Sequence, residues 1–449
     1  MYVGLFGRPK PEGFMMSLRL KSMLMMMLMC SAALAGCLGS DDEKKEDADD
    51  DTDDVVEPVV DPKPEWLDES DAGYTYASNV DNHRSLMKDL CDIKAAASSD
   101  GGYDFAEAKS IYMSGKNAEK SDGSFRTLAG FAAATGKNHG YDTFYDMNGS
   151  VDAHIMAAMD GTGDFEGVSD TVRYQGIAKL TANLGMVAYT IHELNSAVGK
   201  ADAGNVDNDS GAPHNWDEGW AFFHGPDEDW SCSPAYTMKK RAADFGTTTN
   251  DVSNALSASE AAMVSGLAAL QAEDADGYNA AVDTVMKNVV ITYSQAVLKY
   301  TSKMDSNDTA EKYQAEGYAF WKTIEAYVAD YSDACYNNQT HGMAWIGAGV
   351  ATNCDAFSWV DYQGQMVCYN NEVHIVYAAA TNESICDGFA SVFTGSNMPG
   401  YYDNYGANQM NTILDLTDSS QLGTSYDVSA WFTGAWAHYG ITADDIGSM

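Results

Sequence analysis

Basic residues are scarce in this chain of 449 residues. Lys and Arg number 26 against 66 Asp and Glu, so the formal net charge is -40. Most of these acids need do no more than solvate the surface. A surface of this kind repels nucleic acid and gathers cations. We therefore predict no nucleic-acid partner, since the plentiful Trp and Tyr residues come without a basic groove.

The sequence also lacks the motifs of the common enzyme classes. It contains no Walker loop, no Rossmann fingerprint, no Gly-x-Ser-x-Gly and no His-Glu-x-x-His. The acidic turn at 160–164 has no downstream glutamate at the spacing of a calcium loop. A catalyst needs a nucleophile, or a metal-bound water with a base. We therefore predict a protein that is not an enzyme.

Only one long apolar run is present, at 23–35, preceded by Arg19 and Lys21. It is too short to span a bilayer as a helix and is typical of an export signal. The run leads into Leu-Ala-Gly-Cys, a lipobox in which Cys37 becomes the lipidated N-terminus. The alternative is a plain secretory signal with an incidental cysteine. We predict a prokaryotic-type lipoprotein, anchored at the outer face of the cell membrane or in the periplasm.

Cys-x-x-Cys pairs are missing, which argues against a zinc-thiolate or thioredoxin-type site. Apart from Cys30 in the export signal and Cys37, an even number of cysteines remains. Disulfides are the default for such cysteines in an exported chain, and fifteen pairings of six cysteines are possible. We predict three disulfides, with the pairing left open, among Cys91, Cys232, Cys335, Cys354, Cys368 and Cys386.

Helical periodicity dominates from about 73 to 335, and strand-like alternation is scarce. Beyond that point Gly, Asn, Tyr and Cys become frequent and the periodicity weakens. We predict a mainly α protein, a duplicated helical bundle with a disulfide-containing, loop-rich C-terminal region. The predicted parts are a signal peptide at 1–36, a lipid-anchored acidic tether at 37–72, a helical core at 73–335, and a Cys/Gly/Tyr-rich region at 336–449 packed on that core.

The duplication is indicated by a weak internal repeat. Asp-Glu-Gly-Trp-Ala-Phe-Phe at 217–223 is similar to Ala-Glu-Gly-Tyr-Ala-Phe-Trp at 315–321. Each copy follows a long predicted helix that carries a tyrosine, Tyr189 or Tyr300. Two similar helix pairs, each presenting one glutamate, predict a site between the halves of the bundle.

His214, Asp217 and Glu218 are the strongest candidate ligands. We expect His214 just before a helix and the two acids in its first turn, where the helix dipole stabilises negative charge. His214 and Glu218 are four residues apart and can share a helix face. Such a set suits a hard cation such as Fe(III). The alternative is helix capping by the acids, with the neighbouring aromatic residues filling the core.

Glu316, on the matching helix, would supply a second carboxylate to the same site. Phenolate is a strong ligand for Fe(III), and the phenol pKa of about 10 must be lowered by the metal. The candidates on the long helices are Tyr189, Tyr293 and Tyr300, each of which could equally be a buried core tyrosine. His192 and Glu193 form a second candidate pair.

Arginine is rare in this acidic chain, so each buried arginine is expected to have a specific partner. Arg126, in an unusually basic stretch, or Arg173 could hold an anion that bridges to the metal. The alternative is a structural ion pair with an acidic partner.

Several of these stretches resemble the low-iron-inducible periplasmic proteins of algae, which include the phytotransferrins. The resemblance covers about 103–331 and the closing Tyr-Gly-Ile-Thr-Ala-Asp-Asp-Ile-Gly at 439–447. The stretches are Lys-Ser-Asp-Gly-Ser-Phe-Arg-Thr-Leu-Ala-Gly-Phe at 120–131, Asp-Gly-Thr-Gly-Asp-Phe at 160–165, Gly-Ala-Pro-His-Asn-Trp-Asp-Glu-Gly-Trp-Ala-Phe at 211–222 and Gln-Ala-Glu-Gly-Tyr-Ala-Phe-Trp at 314–321.

The resemblance implies ferric iron binding and uptake at the cell surface, with carbonate as a synergistic anion and an unidentified surface partner for iron uptake. An arginine or a helix N-terminus would hold the carbonate. Two alternatives remain, a metal-free structural or adhesive surface lipoprotein and an imelysin-like peptidase. A weaker likeness to imelysin-type lipoproteins, which are duplicated helical bundles, concerns the architecture alone.

Overall fold

The computed structural model describes residues 71–135, 140–389 and 400–449, and these belong to one compact unit. The predicted signal peptide, Cys37 and all but the last two residues of the predicted tether lie outside this range. The described helices are α1 (Asp81–Ala97), α2 (Phe105–Ser114), α3 (Leu128–Ala132), α4 (Gly140–Tyr145), α5 (Ser150–Asp160), α6 (Asp170–Lys179), α7 (Met186–Asp202), α8 (Ala212–Phe223), α9 (Pro234–Phe245), α10 (Asn254–Gln271), α11 (Ala275–Thr301), α12 (Ala310–Val328), α13 (Glu383–Cys386), α14 (Tyr405–Ile413), α15 (Thr433–His438) and α16 (Ala443–Ile446).

Side-chain caps start many of these helices. Ser169 accepts a hydrogen bond from the backbone of Val172 at the start of α6, and Ser253 does the same for Leu256 at the start of α10. Asp274 caps α11 in the same way. Such caps satisfy backbone N–H groups that have no partner within the helix. They fix where these three helices begin.

The predicted helical bundle is confirmed, with one change in detail. The sequence predicts a single helix over 169–197, whereas α6 and α7 are separate and joined by a π-helical segment, Leu180–Gly185. π-Helical turns are rare and often lie near functional sites. None of the helices in the described ranges is both long enough and apolar enough to cross a membrane.

The internal repeat corresponds to two antiparallel helix pairs, α7 with α8 and α11 with α12, and the members of each pair pack closely. Gly219 of α8 makes this possible in the first pair. A Cβ atom there would lie 3.1 Å from the side chain of Leu194 and 3.5 Å from the carbonyl of Thr190, both on α7. Gly219 therefore allows the close approach of α7 and α8, whereas a Cβ atom at Gly317 would first meet the side chain of Leu414, 2.9 Å away.

The C-terminal region contains more β-structure than the predicted loops and short helices. Two three-stranded antiparallel sheets follow α12, and their strands are named below in the orders β4-β3-β8 and β5-β6-β7. A short ladder of β1 (Thr248–Thr249) and β2 (Val252–Ser253) precedes α10. The other strands are β3 (Asp333–Asn337), β4 (Gly342–Gly347), β5 (Phe357–Tyr362), β6 (Gln365–Asn370), β7 (Ile375–Val376) and β8 (Tyr401–Tyr402).

All six predicted cysteines are paired, which confirms the three predicted disulfides. The bridges are Cys91–Cys232, Cys335–Cys354 and Cys368–Cys386. The first ties α1 to the segment before α9. The other two lie in the region after α12 and close short loops there.

These two C-terminal bridges belong to a second internal duplication. Cys-Tyr-Asn-Asn occurs at 335–338 and again at 368–371, and each copy is followed by a Cys-Asp-x-Phe at 354–357 or 386–389. Phe357 and Phe389, the last residues of the two copies, stack with ring centroids 4.1 Å apart. The region 333–389 is therefore built from two similar disulfide-closed halves.

The asparagines of the two copies connect the halves reciprocally. Asn337 donates to the carbonyl of Ile385 at 2.7 Å, and Asn370 donates to the carbonyl of Asn353 at 2.5 Å. Each acceptor directly precedes a cysteine of the other half. Each asparagine also accepts hydrogen bonds from the turn that follows it, so one buried amide joins two chain segments.

Candidate metal centre

The strongest candidate ligands lie on α8, which begins one turn earlier than expected. Pro213 lies in the first turn of this helix, where its missing N–H costs nothing. The helix therefore begins at Ala212, so His214 lies inside it, and Asp217 and Glu218 lie beyond its first turn. The predicted spacing is confirmed, because His214 Nε2 lies 3.2 Å from Glu218 Oε1.

A second histidine from a distant part of the chain meets the same carboxylate oxygen. His83 of α1 places its Nε2 3.2 Å from Glu218 Oε1. The side chains of His83 and Glu218 are 3% and 14% exposed, while that of His214 is 25% exposed. Two imidazole nitrogens therefore converge on one shielded carboxylate oxygen, with solvent access on the side of His214.

Asp217 holds this arrangement in place and does not join it. The carboxylate is fully buried and accepts four hydrogen bonds, from the Tyr74 hydroxyl, from the Ser78 hydroxyl and from the backbone N–H groups of Ala77 and Ser78. Three of these bonds end on Oδ2 and one on Oδ1, so both oxygens are engaged by the segment that leads into α1. The prediction that Asp217 is a ligand is not supported by this geometry, which gives it an anchoring role.

Ser78 links that anchor to His214 and fixes the ring. Its hydroxyl donates its one proton to Asp217 at 2.8 Å and lies 2.8 Å from His214 Nδ1. His214 must therefore donate from Nδ1, which leaves a lone pair on Nε2 of the neutral ring. That lone pair faces the Glu218 carboxylate. The contact is favourable only when a cation, a proton or a metal ion, lies between them.

His83 is neutral in this environment. Burial lowers its pKa to about 4; the nearby Glu218 carboxylate raises it, and the charge of Arg126 lowers it. With its N–H directed to Glu218, Nδ1 is a buried acceptor that has no hydrogen-bond partner among the described residues. Such an atom is costly to leave unpaired in a folded protein.

Glu193 of α7 extends the carboxylate set. Asn215 donates to Glu193 Oε2 at 2.5 Å and lies 3.4 Å from Glu218 Oε2, so it joins the two acids. His192 Nε2 lies 3.9 Å from Glu193 Oε1. Burial alone would raise the pKa of Glu218, but its contacts with the rings of His214 and His83 hold it well below its ordinary value. Glu218 is therefore ionised at neutral pH.

Tyr189 and Arg126 both lie at the edge of this cluster. The rings of Phe131 and Phe222 each contact both His83 and Tyr189, with centroid separations of 4.8 to 5.8 Å. Burial raises the pKa of Tyr189, and the charge of Glu193 raises it further. The charge of Arg126 lowers the pKa of His83. The structure thus brings together His214, Glu218, Tyr189 and Arg126 of the predicted set.

Glu316, Tyr293 and Tyr300 lie in a separate cluster, so the prediction of one shared site is corrected. Burial raises the pKa of Tyr300, and the charge of Glu316 raises it further. The hydroxyl of Tyr300 accepts a hydrogen bond from Arg241 at 3.1 Å. Tyr293 donates to the side chain of Asn183. Tyr293 and Tyr300 pack against Phe320, the repeat counterpart of Phe222. Each helix pair therefore builds its own cluster around its own phenylalanine.

Arg173 also lies elsewhere, and its donors are used locally. Its guanidinium donates to the carbonyls of Ala158 and Met159 at the end of α5 and lies 4.1 Å from the ring centroid of Phe105. It satisfies the last carbonyls of a helix. Of the two predicted anion-binding arginines, only Arg126 is near the histidines.

Sequence reasoning missed His83 and underrated Glu193. His83 lies on α1, within the part of the sequence with helical periodicity, but no local pattern connects it with α8. Glu193 stands beside His192 in the sequence, and that pair was a usable signal. Within the described ranges, no three or more His, Cys, Asp and Glu side chains are already spaced as metal ligands. The histidines and Glu218 are instead bonded to one another.

The comparisons with known proteins agree with the sequence resemblance. A family profile described as low iron-inducible periplasmic protein matches residues 70–328, more than half of the chain. The chain belongs to this family. The match ends with α12, so it includes both helix pairs and both clusters. No curated protein and no solved structure matches the chain. The description of the family gives a periplasmic location and induction by low iron.

Proposed function

We propose that the protein binds ferric iron outside the cytoplasm, as cargo for uptake, and is not an enzyme. The observation that carries the proposal is the convergence of His83 and His214 on one oxygen of Glu218, each at 3.2 Å. The fixed ring of His214 presents a lone pair to that oxygen, which calls for a cation. Membership of a family induced by low iron supports iron as that cation.

The proposed ligands combine nitrogen and oxygen donors. His83 and His214 supply imidazole nitrogens, Glu193 and Glu218 carboxylates, and Tyr189 a phenolate. Oxygen-rich sets of this kind suit Fe(III). Binding would displace the phenol proton of Tyr189, which burial holds more tightly than usual.

Carbonate is the proposed second component of the site. The charge of Arg126 lowers the pKa of His83, and the Arg126 Nε is buried without a hydrogen-bond partner in the described part of the chain. A guanidinium in that state can hold a small oxyanion beside the metal. We propose the lipid anchor at Cys37 as the means by which the protein stays at the membrane surface.

The repeat supplies a matched pair of variants to test this function. We expect Glu218→Gln to weaken Fe(III) binding more than the roughly 10–100-fold lost when an outer-shell partner is removed. Glu316→Gln, at the equivalent position of the other helix pair, should bind iron like the wild type. Affinity is measured by competition with a soluble chelator, with and without bicarbonate.

The iron complex should also absorb visible light by a tyrosinate-to-iron transition, and Tyr189→Phe should remove that band. Equal affinities of wild type and Glu218→Gln would refute the proposal. Equal losses in Glu218→Gln and Glu316→Gln would restore the single shared site that the structure argues against.

A further inference from the structure

The disulfide between Cys91 and Cys232 differs from the other two bridges in its surroundings. Cys91 is half-buried on α1, and the hydroxyl of the exposed Ser231 lies 3.9 Å from its Sγ. Cys232 is 8% exposed. The cysteines of the other bridges are at most 2% exposed; they are Cys335, Cys354, Cys368 and Cys386. Of the three bridges, the first is therefore the one that a dissolved reagent can reach.

A cleft of about 740 Å³ opens at this bridge, and both Cys91 and Cys232 line it. Pockets that bind small molecules commonly have about 300–1,000 Å³. Ala95 and Ala96 of α1 and Ser231 of the segment before α9 also line the cleft. It therefore has room for a small molecule beside the two sulfur atoms.

The two cysteines differ in the way that thiol–disulfide exchange requires. In this exchange a thiolate attacks one sulfur, and the other sulfur leaves as a thiolate. Cys91 is the more exposed of the two residues. Cys232 directly precedes Ser233, the cap of the 12-residue helix α9, and so lies near the positive end of the helix dipole. Since such a position stabilises a thiolate, attack at Cys91 with Cys232 as the leaving group is favoured.

We propose that Cys91 and Cys232 form an exchange site for a small thiol, and that opening this bridge weakens iron binding. The second part rests on the proposed function. The thiolate of the small thiol bonds to Cys91 Sγ, the bond between the cysteine sulfurs breaks, and Cys232 leaves as a thiolate. A second small thiolate then bonds to the sulfur of the first, which releases their disulfide and the Cys91 thiolate. Two electrons pass to the protein, and the protons of the two small thiols end on the two cysteines.

The position of the bridge connects it with the metal cluster. It joins α1 to the chain that follows α8, and these helices carry His83 and Glu218, which lie 3.2 Å apart. Its cysteines are 141 residues apart in the sequence, against 19 and 18 for the other bridges. In the chain-entropy model, a bridge that closes a longer loop stabilises the fold more. Opening the accessible bridge should therefore loosen the helix that supplies His83.

The first test exposes the metal-free, full-length protein to glutathione and follows each bridge by mass spectrometry of alkylated cysteines. We expect Cys91–Cys232 to open more than about tenfold faster than either other bridge, because exchange depends on access. A glutathione adduct should appear on Cys91 before it appears on Cys232. Equal rates for the three bridges would overturn the exchange site, as would opening by a protein dithiol of the thioredoxin class but not by glutathione.

A matched pair of variants tests the role of the cleft. Ser231→Trp places a large side chain beside Cys91 and should slow the opening of this bridge. Ser257→Trp is the same substitution at an exposed position of α10 that does not line the cleft, and it should leave the rate unchanged. Equal rates in the two variants would show that the thiol does not enter through the cleft.

The second test measures metal binding with gallium(III), which has the charge of Fe(III) but is not reduced by thiols. Opening and alkylation of Cys91 and Cys232 should weaken binding by about 5–150-fold, the usual range for coupled sites. Since coupling is reciprocal, bound gallium should also keep the bridge closed at higher glutathione concentrations. The double variant Cys91→Ser and Cys232→Ser should bind gallium and Fe(III) as weakly as the alkylated protein binds gallium, which separates the loss of the bridge from the added alkyl groups.

The outcomes separate this proposal from the proposed function. If the protein with its bridge closed binds neither ion, the proposed function fails and the link to the metal fails with it, while the first test still decides on the exchange site. If it binds both ions and opening the bridge leaves the affinity unchanged, the proposed function stands and the link is wrong.

Discussion

At the scale of single residues, the metal centre depends on where each proton is. Asp217 accepts the hydrogen bond that the Ser78 hydroxyl donates. His214 must therefore donate from Nδ1 to Ser78 and faces Glu218 with the lone pair of Nε2. One buried carboxylate thereby sets the tautomer of a ring that it does not touch. Outer partners of metal-binding histidines act in the same way elsewhere.

Asp217→Asn should destabilise the iron-free protein by about 1–2 kcal/mol at pH 7.5, because the bonds from Ala77 and Ser78 to Oδ2 lose their charge and the amide nitrogen displaces the proton that Tyr74 donates to Oδ1. Urea unfolding of the two proteins gives the difference. Asp104→Asn, the same substitution at the exposed cap of α2, is a control, since asparagine is as good a cap as aspartate.

The same difference should grow as the pH falls. Burial raises the pKa of Asp217 from 3.8 to about 6, against its hydrogen bonds. Between these two values the folded state holds a proton that the unfolded state has lost, so this group adds stability as the pH falls through that window. Asparagine cannot titrate. A gap between wild type and Asp217→Asn that shrinks from pH 7.5 to 4 would contradict the assignment.

The sequence predicted part of this centre for a physical reason. His214 and Glu218 are found by helical spacing alone, because residues four apart share a face wherever the helix begins. His83 could not be found this way, since its contact with Glu218 depends on how α1 packs on α8. Glu316 was predicted to share a site with Glu218, but the structure places it in a different cluster. Similar sequences predict similar helix pairs, and they do not predict that the side chains of the two pairs meet in one site.

At the scale of elements, the duplicated C-terminal region shows what a repeat can encode. The two copies of Cys-Tyr-Asn-Asn, each followed by Cys-Asp-x-Phe, are visible in the sequence and would have selected the observed pairing from the fifteen possible ones. The strands were harder to predict. They are short, and β5 and β6 show no regular alternation of buried and exposed residues.

Asn337→Ala and Asn370→Ala should each cost about 2–3 kcal/mol or more, because each leaves several buried hydrogen-bonding groups without a partner. Both asparagines are fully buried. Asn371→Ala, at the exposed neighbouring position, should change stability by less than about 0.5 kcal/mol. Thermal and urea unfolding measure all three.

The reciprocal bonds add a more specific expectation. In Asn370→Ala, the bond to the Asn353 carbonyl is lost, so the bridge Cys335–Cys354 should open to dithiothreitol faster than in the wild type. Mass spectrometry of alkylated cysteines reports each bridge separately. Faster reduction of Cys368–Cys386 alone would show that the asparagine acts only within its own half.

At the scale of the whole molecule, the net charge of -40 sets the response to salt. Self-repulsion destabilises a compact state, and salt screens it over a distance that falls from about 30 Å at 0.01 M to about 3 Å at 1 M. We expect the Tm of the metal-free protein to rise when NaCl is increased over this range at pH 7.5. The same increase at pH 4 should have a smaller effect, since many carboxylates are then protonated. An unchanged or falling Tm at pH 7.5 would contradict this.

The crossed asparagine bonds have a consequence for oxidation during export. Cys335 and Cys368 sit in identical tetrapeptides, so an oxidising enzyme that reads only local sequence cannot tell them apart. Each amide reaches the carbonyl beside a cysteine of the opposite half only when both halves are folded. We therefore expect correct formation of the two bridges to be cooperative, with each half stabilising the pairing of the other.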